Sequence, residues 1–171
     1  MAKPFFSIVI PLYNKKDYIL KTLRSVLEQS FTDFEVIIVN DGSTDSSLNL
    51  VNKIKDFRLK VYNKNNEGVS VARNYGIQKS TSEWIAFLDS DDEWEPQYLQ
   101  NIYDSIRKIP TGDVFFTITR SIKKNCIEQF SPLHTDKVSA IDYFDFILTR
   151  NGQKMSSSST VVKKVCFEKA G

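Results

Sequence analysis

Cysteine, histidine and glycine are scarce in this chain: two, one and six of them among 171 residues. The two cysteines, Cys126 and Cys166, are too few for a disulfide framework or a zinc cage. One histidine, His134, beside two scattered thiols makes no nucleophile–base arrangement. The expectation is free buried thiols and a surface histidine. The glycines at 42, 68, 76, 112, 152 and 171 match neither G-x-G-x-x-G nor the P-loop pattern, which argues against a nicotinamide enzyme or a P-loop NTPase. An excess of one charge is missing as well. With 23 Lys+Arg against 21 Asp+Glu, a net +2, the chain does not suit a nucleic-acid partner held by bulk charge. No apolar run reaches the ~18 residues of a membrane span, and MAKPFF at the start lacks the apolar stretch of a signal peptide.

What is present is core-forming material. A 41% hydrophobic and 12% aromatic content excludes wholesale disorder. A domain of this length buries roughly 70% of its unfolded surface and needs no covalent staples. These features predict one soluble, cytosolic domain.

Two patterns alternate over the first 120 residues. Apolar, β-branched runs at Phe6–Pro11, Phe34–Asn40, Leu59–Asn63, Trp84–Leu88 and Val114–Thr119 predict strands buried on both faces. Between them, Ile19, Leu23, Val26 and Leu27 share one helical face. A second helix carries Leu48, Val51 and Ile54, with Ser43 or Thr44 as its cap. A third covers about 69–79, and a fourth follows Pro96 through Leu99, Ile102, Tyr103 and Ile106. Ser121–Ser139 reads as a loop or hairpin, Ala140–Arg150 as a helix, Ser156–Lys163 as a strand and Lys164–Ala170 as a short closing helix. Strand–helix alternation with short connections predicts an α/β fold, a mostly parallel central sheet with helices on both faces. In such sheets ligands bind beyond the carboxyl ends of the strands.

Polar residues follow three of those ends. After the first strand, Pro11 fixes the exit direction and Tyr13 offers a flat face to a base or ring, although a turn with a half-buried tyrosine explains the same residues. The second strand ends in Asn40-Asp41-Gly42-Ser43-Thr44-Asp45. Gly42 permits a tight turn and capping explains most of the rest. Asp41 stands before the turn, where it can accept a hydrogen bond from a ligand N–H. The fourth strand runs into Asp89-Ser90-Asp91-Asp92, three carboxylates in four residues that repel one another unless a cation offsets them. Such hard oxygen ligands suit Mg2+ or Mn2+ completed by ligand phosphates; the alternative is an acidic solvated turn. A calcium loop counted from Asp89 fails, because Trp94 and Gln100 hold the places of its glycine and glutamate. Within Glu67–Asn74, Gly68 opens the third helix. Arg73, one and a half turns in, can meet a ligand oxygen or phosphate, or form an ion pair with a neighbouring acid.

Together, SIVIPLYN at 7–14, FEVIIVNDGSTDSS at 34–47, NEGVSVARNYGI at 66–77 and WIAFLDSDDEWEP at 84–96 resemble glycosyltransferase family 2, in order and over roughly residues 5–110. The resemblance implies the GT-A fold, which is Rossmann-like, and inverting transfer from a nucleotide-diphosphate sugar, UDP-linked. It places Pro11, Tyr13 and Asp41 around the base, with the tyrosine stacking and the aspartate accepting from the pyrimidine N–H. It sets Arg73 against the bound nucleotide. Asp89-Ser90-Asp91 becomes the DxD motif, Asp91 being the direct metal ligand and Asp89 meeting the ribose or sugar. Asn40 departs from the family, where many members have a second aspartate; binding is expected to survive.

The resemblance also implies that 1–120 bind donor and 121–171 begin the acceptor side. The family's base lies in a later acidic segment, so it is expected beyond Gly171. No matched motif makes Asp92, Glu93 or Glu168 that base. The expectation is therefore a hexosyltransferase-like enzyme involved in polysaccharide synthesis, or this chain as its donor-binding fragment. The acceptor (glycan, lipid-linked or protein) is unspecified, and peripheral attachment at the inner membrane face stays open. A non-catalytic nucleotide-sugar-binding module is the first alternative. A nucleotidyltransferase ranks third, since PLYNKKDY at 11–18 has no phosphate-loop glycine.

Overall fold

A computed structural model describes residues 3–117, 122–123, 126–127 and 157–170 of the chain. The helix expected at 140–150, His134, the thiol of Cys126, most of the loop or hairpin at 121–139 and the end of the strand expected through 119 lie outside the described residues. The elements are β1 (Phe6–Leu12), α1 (Ile19–Leu27), β2 (Phe34–Asp41), α2 (Ser47–Asn52), β3 (Leu59–Lys64), α3 (Val69–Lys79), β4 (Trp84–Phe87), α4 (Tyr98–Lys108) and β5 (Val114–Phe116). A short antiparallel pair, β6 (Ile122–Lys123) with β7 (Cys126–Ile127), follows. A 3₁₀ turn at Ser157–Ser159 then leads into β8 (Thr160–Lys163) and α5 (Val165–Ala170).

Six strands form one sheet in the order β3-β2-β1-β4-β8-β5. β1, β2, β3 and β4 run parallel, and β8 is antiparallel to both its neighbours. The chain moves outward from β1 to β3, then returns to place β4 on the other side of β1, so the order reverses between β1 and β4. That reversal opens a crevice at the carboxyl ends of the two strands.

The layers follow from the two-residue repeat of the strands. Ile8, Ile10 and Leu12 of β1 join Val36 and Ile38 of β2 under Leu23 and Val26 of α1, Val51 of α2 and Leu99 and Ile102 of α4. The alternate residues face the other way. Val9, Ile85 and Phe87 pack with Ile77 of α3 and Phe167 of α5, and Ile37 and Val39 pack with Ala72. Helices thus cover both faces, as the alternation predicts.

Burial on both faces holds for β1, β2 and β4 but not for β3 or β5. These are the edges of the sheet, where fewer neighbours cover each residue. Neither Ser43 nor Thr44 caps α2, which begins only at Ser47, because both residues are committed to the β1 loop. The stretch expected as one strand at 156–163 divides into the 3₁₀ turn and β8, and α4 starts at Tyr98, two residues after Pro96. Cys166 is free and half-buried. Among the described residues no helix is long and apolar enough to cross a membrane.

Candidate donor site

A cleft of about 400 Å³ lies at the reversal point, lined by Pro11, Tyr13, Asp41, Arg73, Asp89, Ser90 and Asp91 but not by Asp92, the third carboxylate of the acidic turn. Four segments distant in sequence supply them, and a dense set of polar contacts fixes each segment.

The first wall is the exit of β1. Pro11 is still inside the strand, opposite Val39, so the turn begins one residue later than its proline suggests. Tyr13 is 44% exposed, its ring open to the cleft. Asn14, in the left-handed region at φ 51°, clamps the loop that follows β2. Its Oδ1 accepts from the backbone N–H groups of Thr44 (2.8 Å) and Asp45 (3.2 Å), while its own N–H donates to Ser43 Oγ at 3.1 Å. The Lys15 and Lys16 amides add bonds to Ser47 Oγ (2.8 Å) and Asp45 Oδ2 (3.1 Å). This explains why Ser43 and Thr44 do not cap a helix: they knit one loop to another, while Asp45 does both, its Oδ1 also accepting from the amide of Ser47, the first residue of α2, at 2.8 Å.

Asp41 ends β2 almost fully buried, at 3% exposure. Its Oδ1 accepts from Lys64 Nζ (2.6 Å) and from the Glu67 amide (3.1 Å), and its Oδ2 accepts from the Gly68 amide (2.9 Å). Burial by itself pushes this carboxyl up, but the Lys64 ammonium and the two amides outweigh it and hold Asp41 below the usual carboxylate range. Gly68, at φ 95°, presents that amide from the N-terminus of α3 in a conformation that side chains disfavour. Asp41 thus does two things: it holds the 64–68 loop, and its Oδ2, with one protein donor, keeps acceptor capacity. Asn40 faces away from this chemistry. Its Nδ2 donates to Asn63 Oδ1 (3.0 Å) and its Oδ1 accepts from the Ser43 amide (3.2 Å), so the family departure is a buried brace.

The acidic turn after β4 meets protein cations. Arg73 Nη2 lies 2.5 Å from Asp89 Oδ1 and 2.9 Å from Ser157 Oγ, and the Ser157 hydroxyl donates to Asp89 Oδ2 at 2.8 Å. The ion pair weighed for Arg73 is thus present, with Asp89, and the residue also lines the cleft. Its Nε is buried and has no partner among the described residues. Asp91 is engaged differently: among the described residues its one side-chain partner is Lys15, whose Nζ lies 2.6 Å from Oδ2. Bonding to Asp91 outweighs burial and raises the Lys15 ammonium above its usual range. Ser90 is buried, its carbonyl accepting from Thr22 Oγ1 at 3.1 Å. The Asp89 amide donates to Ser158 Oγ (3.0 Å) and the Trp94 indole N–H to the Ser158 carbonyl (2.6 Å), which docks the 157–159 turn against the acidic loop.

Among the described residues no group of three or more His, Cys, Asp or Glu side chains forms a metal cage. Among the described residues Asp89 has both oxygens committed, whereas Asp91 has one oxygen bound to a part-exposed ammonium. That donor set fits Mg2+ or Mn2+ held by one carboxylate and completed by ligand phosphates. Without those phosphates a single carboxylate makes only a weak metal site.

Lys15, Ser157 and Ser158 are the site residues that motif reading passed over. Lys15 was detectable in principle, as a cation directly after PLYN. The serine run carried no signal, because its place beside Asp89 depends on pairing across more than sixty positions.

Similarity to known proteins bears on this arrangement. The structure of Staphylococcus aureus TarS residues 1–349 superimposes with a TM-score of 0.78 at 24% identity, covering 97% of this chain and 49% of that one; TarS has also been solved with UDP and with UDP-GlcNAc. The mannosyltransferase PcManGT of Pyrobaculum calidifontis, solved with GDP-Man and Mn2+, gives a TM-score of 0.64 at 23% identity over 70% of this chain and 37% of its own. At those identities the likeness establishes the fold, that of the GT-A glycosyltransferases. Among curated relatives, the E. coli glucosyltransferase WfaP, named for transfer from UDP-Glc to α-D-GlcNAc-diphosphoundecaprenol, is 42% identical over 113 residues, 65% of this chain and 43% of WfaP. The putative teichuronic acid biosynthesis glycosyltransferase TuaG of Bacillus subtilis is 42% identical over 101 residues, 57% of this chain and 40% of TuaG. The chain spans less than half the length of these relatives. The sequence profile described as "Glycosyl transferase family 2" matches residues 7–156, and with the fold and the cleft in agreement the chain belongs to that family.

Proposed function

We propose that this chain is the donor-binding part of an inverting glycosyltransferase that takes a sugar from a UDP-linked donor with the help of Mg2+ or Mn2+. One observation carries the reading: side chains chosen on separate motifs line a single cleft at the reversal point of the sheet. In this reading Pro11 and Tyr13 form the base platform, with the exposed tyrosine ring stacking on uracil. Asp41 Oδ2 accepts from the pyrimidine N–H, which selects against a base with only acceptors at that edge. Arg73 contacts the nucleotide, Asp89 and Ser90 border the ribose or sugar, and Asp91 holds the metal. A divalent cation, when bound, offsets the charge that develops on the departing diphosphate. The chain's own contribution is to orient the donor and to bring Lys15 and Arg73 to the same mouth. The general base that inversion requires is assigned to none of the described residues.

Supporting the uridine choice are the UDP-named relative and the UDP complexes of TarS. The diphosphoundecaprenol acceptor in the WfaP name favours a lipid-linked glycan acceptor at the cytoplasmic face of a membrane, with residues 121–171 opening the acceptor side.

Calorimetric titration of UDP into the chain, with and without Mn2+, tests the reading. UDP should bind more tightly with Mn2+, Asp91→Ala should remove that gain, and Tyr13→Ala should weaken binding about 5- to 160-fold, the range of one lost base–aromatic stack. Absence of UDP binding, or binding indifferent to both substitutions, rejects it.

A further inference from the structure

Lys15 stands between the two halves of the cleft on a rigid base. Its amide donates to Ser47 Oγ at 2.8 Å, and its carbonyl accepts from the amides of Tyr18 (3.0 Å) and Ile19 (2.9 Å). From there the side chain crosses from the β1 loop to the β4 loop, where Nζ meets Asp91 Oδ2 at 2.6 Å. The two side chains are 36% and 40% exposed, so water reaches the pair and the contact is exchangeable. Among the described residues Asp91 has no other side-chain partner, in contrast to Asp89, whose two oxygens are held by Arg73 and Ser157.

An ammonium and a divalent cation compete for one carboxylate. A metal about 2.1 Å from an Asp91 oxygen would lie within roughly 4–5 Å of the ammonium as it now sits, and like charges at that separation repel even in water. A nucleoside diphosphate has the opposite effect. It brings several anionic oxygens to the same mouth and gives the ammonium a second place to bind.

We propose, building on the donor-binding reading above, that Lys15 is a displaceable counter-ion: it keeps divalent cations off Asp91 until a diphosphate draws the ammonium away. Metal and nucleotide then bind as a linked pair, each raising the affinity for the other by the same factor. Lys15 acts here as a positioning residue, setting the order of assembly through Asp91.

The test is Mn2+ binding to the 171-residue chain, followed by the electron-paramagnetic-resonance signal of free Mn2+, with and without UDP. Calorimetry of UDP in EDTA completes it. Without nucleotide, Lys15→Met should bind Mn2+ about three- to tenfold more tightly than the unmodified chain, while its metal-free UDP affinity falls by a similar factor. Lys15→Arg, which keeps the charge, should behave like the unmodified chain, and Lys15→Met with Asp91→Asn should lose the gain. Lys15→Gln, equally uncharged, replaces Lys15→Met should that variant fail to fold. Nucleotide-free Mn2+ affinity unchanged or weakened in the uncharged variants, with UDP still bound by the unmodified chain, overturns this inference alone. An unmodified chain that binds no UDP overturns the donor-binding reading and this inference together.

Discussion

At the residue scale the molecule separates groups that hold the fold from groups that face the cleft, and Glu35 marks the first kind. It sits at the start of β2, the opposite end from the cleft, and is 4% exposed. Its carboxylate accepts from Ser7 Oγ (2.6 Å), Lys60 Nζ (2.7 Å) and both the amide and hydroxyl of Thr81 (2.7 Å each). Removing such a buried, fully bonded anion leaves several donors unsatisfied. Glu35→Ala should therefore cost about 2–4 kcal/mol in urea unfolding and leave UDP affinity of the folded protein unchanged. Asp41 belongs to both kinds. Asp41→Ala should cost about 2–4 kcal/mol, less than a fully isolated buried pair because Glu67 remains beside Lys64, and UDP affinity should fall with it. Motifs pointed to Asp41 and Asp91 because their chemistry needs carboxylates at strand ends, and to Arg73 as a cation in the first turns of α3. They could not show that Asp41 also ties down the 64–68 loop, or that Lys15 faces Asp91, since both facts depend on backbone approaches between distant loops.

At the scale of elements, α3 shows how packing positions a functional group. Its sheet-facing side carries Ala72 and Gly76, and a Cβ added at Gly76 would come within 2.4 Å of Val9 Cγ1. The helix therefore lies against β1 as closely as a glycine allows, and Arg73, one turn earlier, reaches Asp89 from that position. Gly76→Ala should gain helix propensity yet destabilise by about 1–3 kcal/mol through overpacking. It should also weaken UDP binding by moving Arg73. Val9→Ala, costly by itself because the side chain is fully buried, should couple favourably with it, the double variant losing less stability than the two single losses together, which a double-mutant cycle reads directly. Strands β1 to β4 and their helices were legible from sequence, because β-branched runs and helical spacing are local signals. The place of β8 between β4 and β5 was not, because which strand pairs with which is decided by partners far along the chain.

At the scale of the whole molecule, four carboxyls among the described residues sit below their usual range, and in each case the fold supplies the donors. Burial pushes Glu35, Asp41 and Asp45 up, but hydrogen bonds from Lys60, Lys64 and Ser47 respectively, with others, prevail; for Asp56 the Arg58 guanidinium dominates outright. A group lowered in the folded state binds more protons when unfolded, so its stabilisation is complete above the ordinary values of 3.8 for Asp and 4.5 for Glu and is lost as pH falls through the folded values. Urea midpoints should thus decline as pH falls below about 4.5, and less steeply in Glu35→Gln. The order of the sheet also has a kinetic meaning. Among the described residues β8 alone joins β5 to the parallel strands, and the 157–159 turn before it supplies Ser157 and Ser158 to the acidic loop. During synthesis, β4 therefore emerges with one edge unpaired and keeps it so until roughly seventy more residues have left the ribosome, a span of several seconds at ordinary elongation rates. Through that interval the nascent chain presents an apolar strand edge open to other chains, and the Trp94 indole N–H awaits its acceptor, so closing the sheet and completing the Asp89 environment are one late event.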